Sequence, residues 1–189
     1  MGVGLVVVGI VLVIVGAGAV WWVKTYNALV GLANRVDGAW ANIDTQLKRR
    51  ADLIPNLVET VKGYASHESE TLEAVIAARN AATTATTPAA AAQADTMLTG
   101  ALRQVFALSE AYPQLRANEN FLQLQNELGS TESSIASVRQ SYNNQVQQLN
   151  TMREQFPVNF VAGSKPRFAA REYFEVTAEA DREAPQVKF

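Results

Sequence analysis

The sequence predicts an all-α protein: an N-terminal transmembrane helix continuing into an antiparallel, coiled-coil-like four-helix bundle. Three observations predict it. Residues 1–23 carry no charge, although the chain of 189 residues holds 16 basic and 18 acidic side chains. Apolar residues then recur at alternating spacings of three and four from Tyr26 to Tyr64, and again from Phe121 to Phe156. That is the heptad signature of helices packed side by side. Shorter helical periods lie between the two seams, so the chain suits one domain plus an anchor. The expected division is a transmembrane anchor at 1–23, a helical bundle at 24–156 and a C-terminal tail at 157–189.

The uncharged run MGVGLVVVGIVLVIVGAGAVWWV is about 34 Å long as a helix, enough to cross a hydrocarbon core of roughly 30 Å. Trp21 and Trp22 stand where an aromatic belt belongs, and Lys24 is the first charge beyond them. A cleaved secretory signal competes with this reading, because Ala17-Gly18-Ala19 has the form of a cleavage site. The anchor is preferred because no Lys or Arg precedes the run and the run is long for a signal core. Val6 stands where a myristoylation motif needs Ser or Thr. Lys24, Arg35 and the Lys48-Arg49-Arg50 cluster all follow the span, so the bulk of the chain is expected on the cytoplasmic side. Gly9 and Gly16, one heptad apart, allow close approach of neighbouring spans or are ordinary lipid-adapted glycines.

The first soluble seam runs Tyr26, Leu29, Ala33, Val36, Trp40, Ile43, Leu47, Ile54, Leu57, Val61 and Tyr64. Trp22 shares its phase, so span and seam can form one helix. Arg50 also falls on the seam, so either the seam opens there or an acidic partner meets it. Pro55 lacks the amide that would bond to Ala51 and predicts a kink near Leu53-Ile54. Gly63 either breaks the helix or is passed through. A second helix is expected from Ser66 as cap, with Glu68, Glu70 and Glu73 near its positive end. The stretch from Ala81 to Ala92 (AATTATTPAAAA) reads as the connection at a tip. A third helix through Leu98, Leu102 and Val105 should stop by Pro113. The fourth carries Phe121, Leu124, Leu128, Ile135, Val138, Tyr142, Leu149, Met152 and Phe156, with Thr131 and Gln145 at the two polar seam positions. Pro157 ends it. The aromatic tail beyond folds back on the bundle or docks on a neighbouring subunit.

Chemistry-bearing patterns are few. With no cysteine and one histidine, disulfide, thiol and histidine-cluster metal chemistry are excluded. His67 with Glu68 reads as part of a helix start and not as a ligand pair. Glu110, Glu119, Glu127 and Glu132 lack the Glu-x-x-His pairs of a di-metal bundle and read as solvated faces. A net charge of −2 and an isoelectric point near 5.5 argue against a nucleic-acid partner. No phosphate loop or nucleophile elbow is present, so no catalytic residue, metal or cofactor is expected. The Lys48-Arg49-Arg50 cluster is expected in salt bridges with Asp44, Asp52 or a facing helix, in preference to anionic lipid headgroups that about 40 Å of helix separates from it. Trp40, Tyr64, Tyr112 and Tyr142 are expected as core aromatics.

Tyr26-Asn27, Ala39-Trp40, Ile43-Asp44, Arg49-Arg50, Asp52-Leu53-Ile54-Pro55-Asn56-Leu57-Val58 and Val61-Lys62-Gly63-Tyr64 closely resemble the LemA family. So do His67-Glu68, Arg79, Glu110 with Tyr112-Pro113, Phe121, Arg139, Tyr142-Asn143, Asn150, Phe156-Pro157 and the closing Pro185, Val187 and Phe189. Gly163-Ser164-Lys165-Pro166-Arg167-Phe168 departs from the aromatic and glycine-rich stretch usual there. The resemblance implies a bacterial single-pass protein of the inner membrane with a cytoplasm-facing helical bundle. It supplies no reaction; a magnetosome membrane protein in the family points to membrane organisation. It also implies structural or interface roles for Trp40, Arg49, Arg50, Pro55, His67, Glu68, Glu110, Tyr112, Arg139, Tyr142 and Phe156.

The expected function is therefore a non-enzymatic scaffold that self-associates on the lipid bilayer. The alternative is a membrane-tethered adaptor for a partner protease, sensor kinase or transporter.

Overall fold

A computed structural model of the chain describes residues 2–175. Its elements are α1 (Gly2–Lys62), α2 (Ser69–Thr84), α3 (Pro88–Ser109), α4 (Pro113–Arg116), α5 (Glu119–Glu154), α6 (Val158–Gly163) and one 3₁₀ turn (Pro166–Phe168). No strand occurs among the described residues. The fold is all-α, and α1 carries the apolar run and the first heptad seam in a single helix. The closing Pro185, Val187 and Phe189 lie outside the described residues.

Two compact units divide the described residues: one from residues 2–39 and Asn143–Arg171, the other from Trp40–Tyr142 and residues 172–175. In the second unit four helices share one core. Ile54, Leu57 and Val61 of α1 pack with Leu72 and Val75 of α2, Leu98, Leu102 and Val105 of α3, and Phe121, Leu124 and Leu128 of α5. Here α5 runs against α1. Trp40 packs against Tyr142 with tilted rings whose centroids are 5.8 Å apart, Arg50 lies 3.9 Å from Glu132, and Tyr64 accepts a hydrogen bond from Asn118 at 3.0 Å. Each step up α1 is matched by an equal step down α5.

Local chemistry sets the helix boundaries and revises several expectations. Pro55 lies inside α1, and the helix continues across it. The carbonyl of Ala51, which would have accepted the missing amide, instead accepts the Arg79 Nε–H at 3.0 Å. The helix does break at Gly63. α2 starts at Ser69 with Glu68 at its cap position, so Ser66 is not the cap. It sits in the turn that closes α1, where the Glu68 amide bonds back to the Ala65 carbonyl at 3.1 Å. The expected connection at 81–92 shrinks to residues 85–87. Pro88 is the first residue of α3, where its missing amide costs nothing, and Thr87 caps the helix by accepting the Ala90 amide at 3.2 Å. Ala91 and Ala92 are thus core residues, not loop.

The other unit is built on the N-terminal part of α1 and the C-terminal part of α5. Phe168, in the 3₁₀ turn, is buried against Tyr26, with rings edge to face at 5.5 Å, and its carbonyl accepts the Arg153 Nε–H at 3.0 Å. Asn150 holds the next stretch with both ends of its amide, donating to the Arg171 carbonyl and accepting the Arg171 amide, each at 3.0 Å. Arg171 reaches Asp37 at 3.1 Å. Within this unit, moving forward along α5 from Asn150 to Arg153 means moving back along α1 from Asp37 to Tyr26.

Candidate functional site

Residues 2–24 of α1 are all exposed, and this stretch has the composition of a membrane span, with mean hydropathy 2.9 over its most apolar window. α1 is long and apolar enough to cross a bilayer there. Trp21 and Trp22 are 37% and 42% exposed and Lys24 is exposed, in the order that an interface requires. Burial begins with Thr25 and then follows the heptad phase through Leu29, Ala33 and Val36.

The buried charge of the second unit is Arg50, 2% exposed on the seam. Its Nη1 donates to Asp95 at 2.7 Å, a residue on α3 that sequence reasoning did not single out. Burial pushes the Asp95 carboxyl above the ordinary carboxylate range, opposed by the charge and hydrogen bond of Arg50. Arg139 is exposed, and its charge further favours the ionised form of Asp95. Among the described residues Arg50 Nε has no hydrogen-bond partner, so the pair is only partly satisfied. Lys48 bridges to Asp44 one turn away; Arg49 is exposed.

At the far end of the same unit the turns after α1 and α3 meet. The Tyr112 hydroxyl donates to Glu68 at 3.1 Å, which pushes the phenol above its ordinary range. Glu110 pairs with Arg116 at 2.7 Å. Asn118 accepts the Phe121 amide at 3.0 Å and so caps α5. A cavity of about 330 Å³ opens beside Gly63, Tyr64 and Ala111 to Gln114. Tyr64 is 40% exposed and is not a core aromatic, because α1 has ended before it. Trp40 and Tyr112 are half-buried and Tyr142 is buried. Tyr142 donates to the Glu172 carbonyl at 2.8 Å, and Phe174 is buried beside Trp40 at 6.4 Å. His67 is exposed, and no group of three His, Asp or Glu fit to hold a metal occurs among the described residues. Phe156, the expected last seam residue, is 79% exposed because α5 ends at Glu154.

Residues 39–189 match the model of the LemA family. The chain belongs to the LemA family. The Protein LemA of Metamycoplasma hominis is 28% identical over 145 residues, which cover 75% of this chain and 65% of that relative. The chain thus matches just under two thirds of the relative's length. The apolar stretch of α1 lies wholly before the residues that match the LemA model, so the anchor reading rests on this chain's own composition.

The structure joins some of the LemA-like residues directly: Glu68 with Tyr112, Trp40 with Tyr142, and Arg79 with the carbonyl opposite Pro55. It leaves Arg49, His67, Arg139 and Phe156 on the surface. Asp95 and Asn118 were missed; Phe168 and Phe174, read only as aromatics of a tail that folds back or docks on a neighbour, are buried. Asp95 sits in an alanine-rich run without a local partner, and the two phenylalanines lie outside any periodic segment. Asn118, before Glu119 and the apolar Phe121, did carry a capping signal.

Proposed function

We propose that this LemA protein is a non-enzymatic, single-pass membrane scaffold that self-associates, with the bulk of the chain in the cytoplasm. The observation that carries the reading is that residues 2–24 are uniformly exposed and apolar up to Lys24, while the same helix enters a packed core immediately afterwards. Such a surface needs lipid or other copies of itself to cover it. Gly9 and Gly16 would let copies approach closely, and Lys24 with Arg35 favours a cytoplasmic bulk.

The test is light scattering of the full chain in mild detergent, with an insertion series between Val23 and Lys24. One added alanine turns the span by about 100° against the following helix, whereas seven return it to within about 20° of its starting phase. Self-association that uses faces on both sides of the junction falls with one alanine and recovers with seven. A monomer at every concentration overturns the proposal. Cross-linking that recovers a single foreign partner and no self-contact replaces it with the adaptor reading.

A further inference from the structure

Phe156 and Phe160 form an aromatic pair that the fold does not use. Their rings meet edge to face at 5.9 Å, yet they remain 79% and 64% exposed. The neighbouring Val161 and Ala162 are buried, so the segment is anchored while these two side chains are left outside. Their position follows from contacts within one unit. Phe168 links Tyr26 of α1 to Arg153 of α5, and α5 there travels back along α1 toward its N-terminus. The chain passes Arg153 in that direction and reaches Phe156 about one turn later. Phe156, two residues beyond the end of α5, therefore lies on the side of this unit toward which α1 runs back to its apolar stretch.

Charge at this end points the same way. The unit formed by residues 2–39 and Asn143–Arg171 holds six basic side chains against Asp37 and Glu154, a net of +4; the rest of the chain is then −6. Arg171 is bridged to Asp37, whereas Lys24, Arg35 and Lys165 are exposed, and Arg167 is exposed with its hydrogen bond to the neutral Asn34. A unit of net positive charge that also carries exposed aromatic rings, and whose α1 continues into the apolar span at Lys24, matches an anionic lipid surface.

We propose that Phe156 and Phe160, with the exposed basic side chains of the same unit, form a second membrane contact that inserts into the interface of an anionic bilayer. It rests on the reading that residues 2–23 span that bilayer. Two membrane attachments, one on α1 and one after α5, hold this unit against the surface and fix its tilt, which a single span cannot do.

The chain has no cysteine, so single probes are clean. An environment-sensitive fluorophore goes on Asn159→Cys, an exposed position between the two rings, and separately on Leu12→Cys within the span. The full chain is reconstituted into vesicles of phosphatidylglycerol with phosphatidylcholine, or of phosphatidylcholine alone, containing nitroxide-labelled lipid. The expected result is strong lipid quenching at both positions in anionic vesicles. At position 159 it falls by twofold or more in phosphatidylcholine alone, and likewise in a Phe156→Ser/Phe160→Ser background, while Leu12→Cys is unchanged. Quenching at 12 with none at 159, or quenching at 159 that ignores the serine pair, overturns the second contact and leaves the span standing. Absence of quenching at 12 overturns the span itself. Shielding of 159 from aqueous iodide without lipid quenching shows that another protein copy covers the rings, and also overturns the proposal.

Discussion

Arg50→Ala isolates the cost of a buried, unpaired carboxylate. The Arg50 side chain is 2% exposed and Asp95 16%, with 2.7 Å between them. Even beside the guanidinium, burial holds the Asp95 carboxyl above its ordinary range. Removing Arg50 deletes both the charge and the hydrogen bond that oppose that rise, and breaking such a pair costs about 3–5 kcal/mol. Glu132, 54% exposed and 3.9 Å away, contributes little. The pH dependence has a definite sign. A carboxyl whose folded pKa lies above its unfolded value binds its proton more tightly when folded, so stability falls as pH rises between the two. Arg50→Ala raises the folded value further. Its deficit is therefore largest at neutral pH and shrinks as acid protonates Asp95. Replacing both partners by apolar residues, Arg50→Met with Asp95→Leu, removes the buried charges together and recovers most of the loss. Urea titration of the full chain in micelles, followed by circular dichroism, measures all three proteins. A loss within about 0.5 kcal/mol for Arg50→Ala, or a double variant no more stable than the single, refutes the reasoning.

Arg79→Met leaves the Ala51 carbonyl without its donor and costs about 1–3 kcal/mol; in a Pro55→Ala background the restored amide supplies the donor, and the loss in the same titration becomes smaller. Glu68→Gln weakens the acceptor that raises the Tyr112 phenol, so ultraviolet titration, read as a difference from Tyr112→Phe, shows this hydroxyl ionising at lower pH than in the parent. Phe168→Ala empties a buried site against Tyr26, costs about 3–5 kcal/mol, and speeds hydrogen exchange of the Arg171 amide that Asn150 holds. Thr87→Ala removes the cap of α3 and lowers stability by about 1 kcal/mol, readable as a drop in the urea midpoint.

The apolar seams were legible because one physical rule governs them. Leu29, Ala33, Val36, Ile43, Leu47, Ile54, Leu57 and Val61 recur at helical spacing, and all are buried. Arg50 was legible as a problem on that seam, but its answer was not, since Asp95 lies 45 residues away and no local spacing points to it. The connection at 81–92 was misread because threonine and proline signal both loops and helix starts. Thr83 and Thr84 donate to the Asn80 carbonyl from within α2, and only Thr87 and Pro88 mark a boundary. Phe168 and Phe174 carry no period, because they fill gaps beside Tyr26 and Trp40 from irregular chain. Phe156 shares the phase of its seam yet lies beyond the helix that gives phase its meaning.

Apolar heptads specify that helices pack, and only weakly specify where along one another they stop. Sliding α5 by seven residues past α1 would still set apolar residues against apolar residues. It would also take Glu132 away from Arg50, Tyr142 away from Trp40 and Asn118 away from Tyr64, three pairings that agree on one register within a single unit. The Arg79 bond to the Ala51 carbonyl does the same for α2, because Pro55 leaves a carbonyl free at one level of α1 only. The polar residues among those that mark this chain as a LemA protein thus include devices that select one packing of greasy helices from several of similar hydrophobic energy. Replacing them with leucine should accordingly preserve helix content while broadening the distribution of distances between spin labels on Asp44 and Ala136.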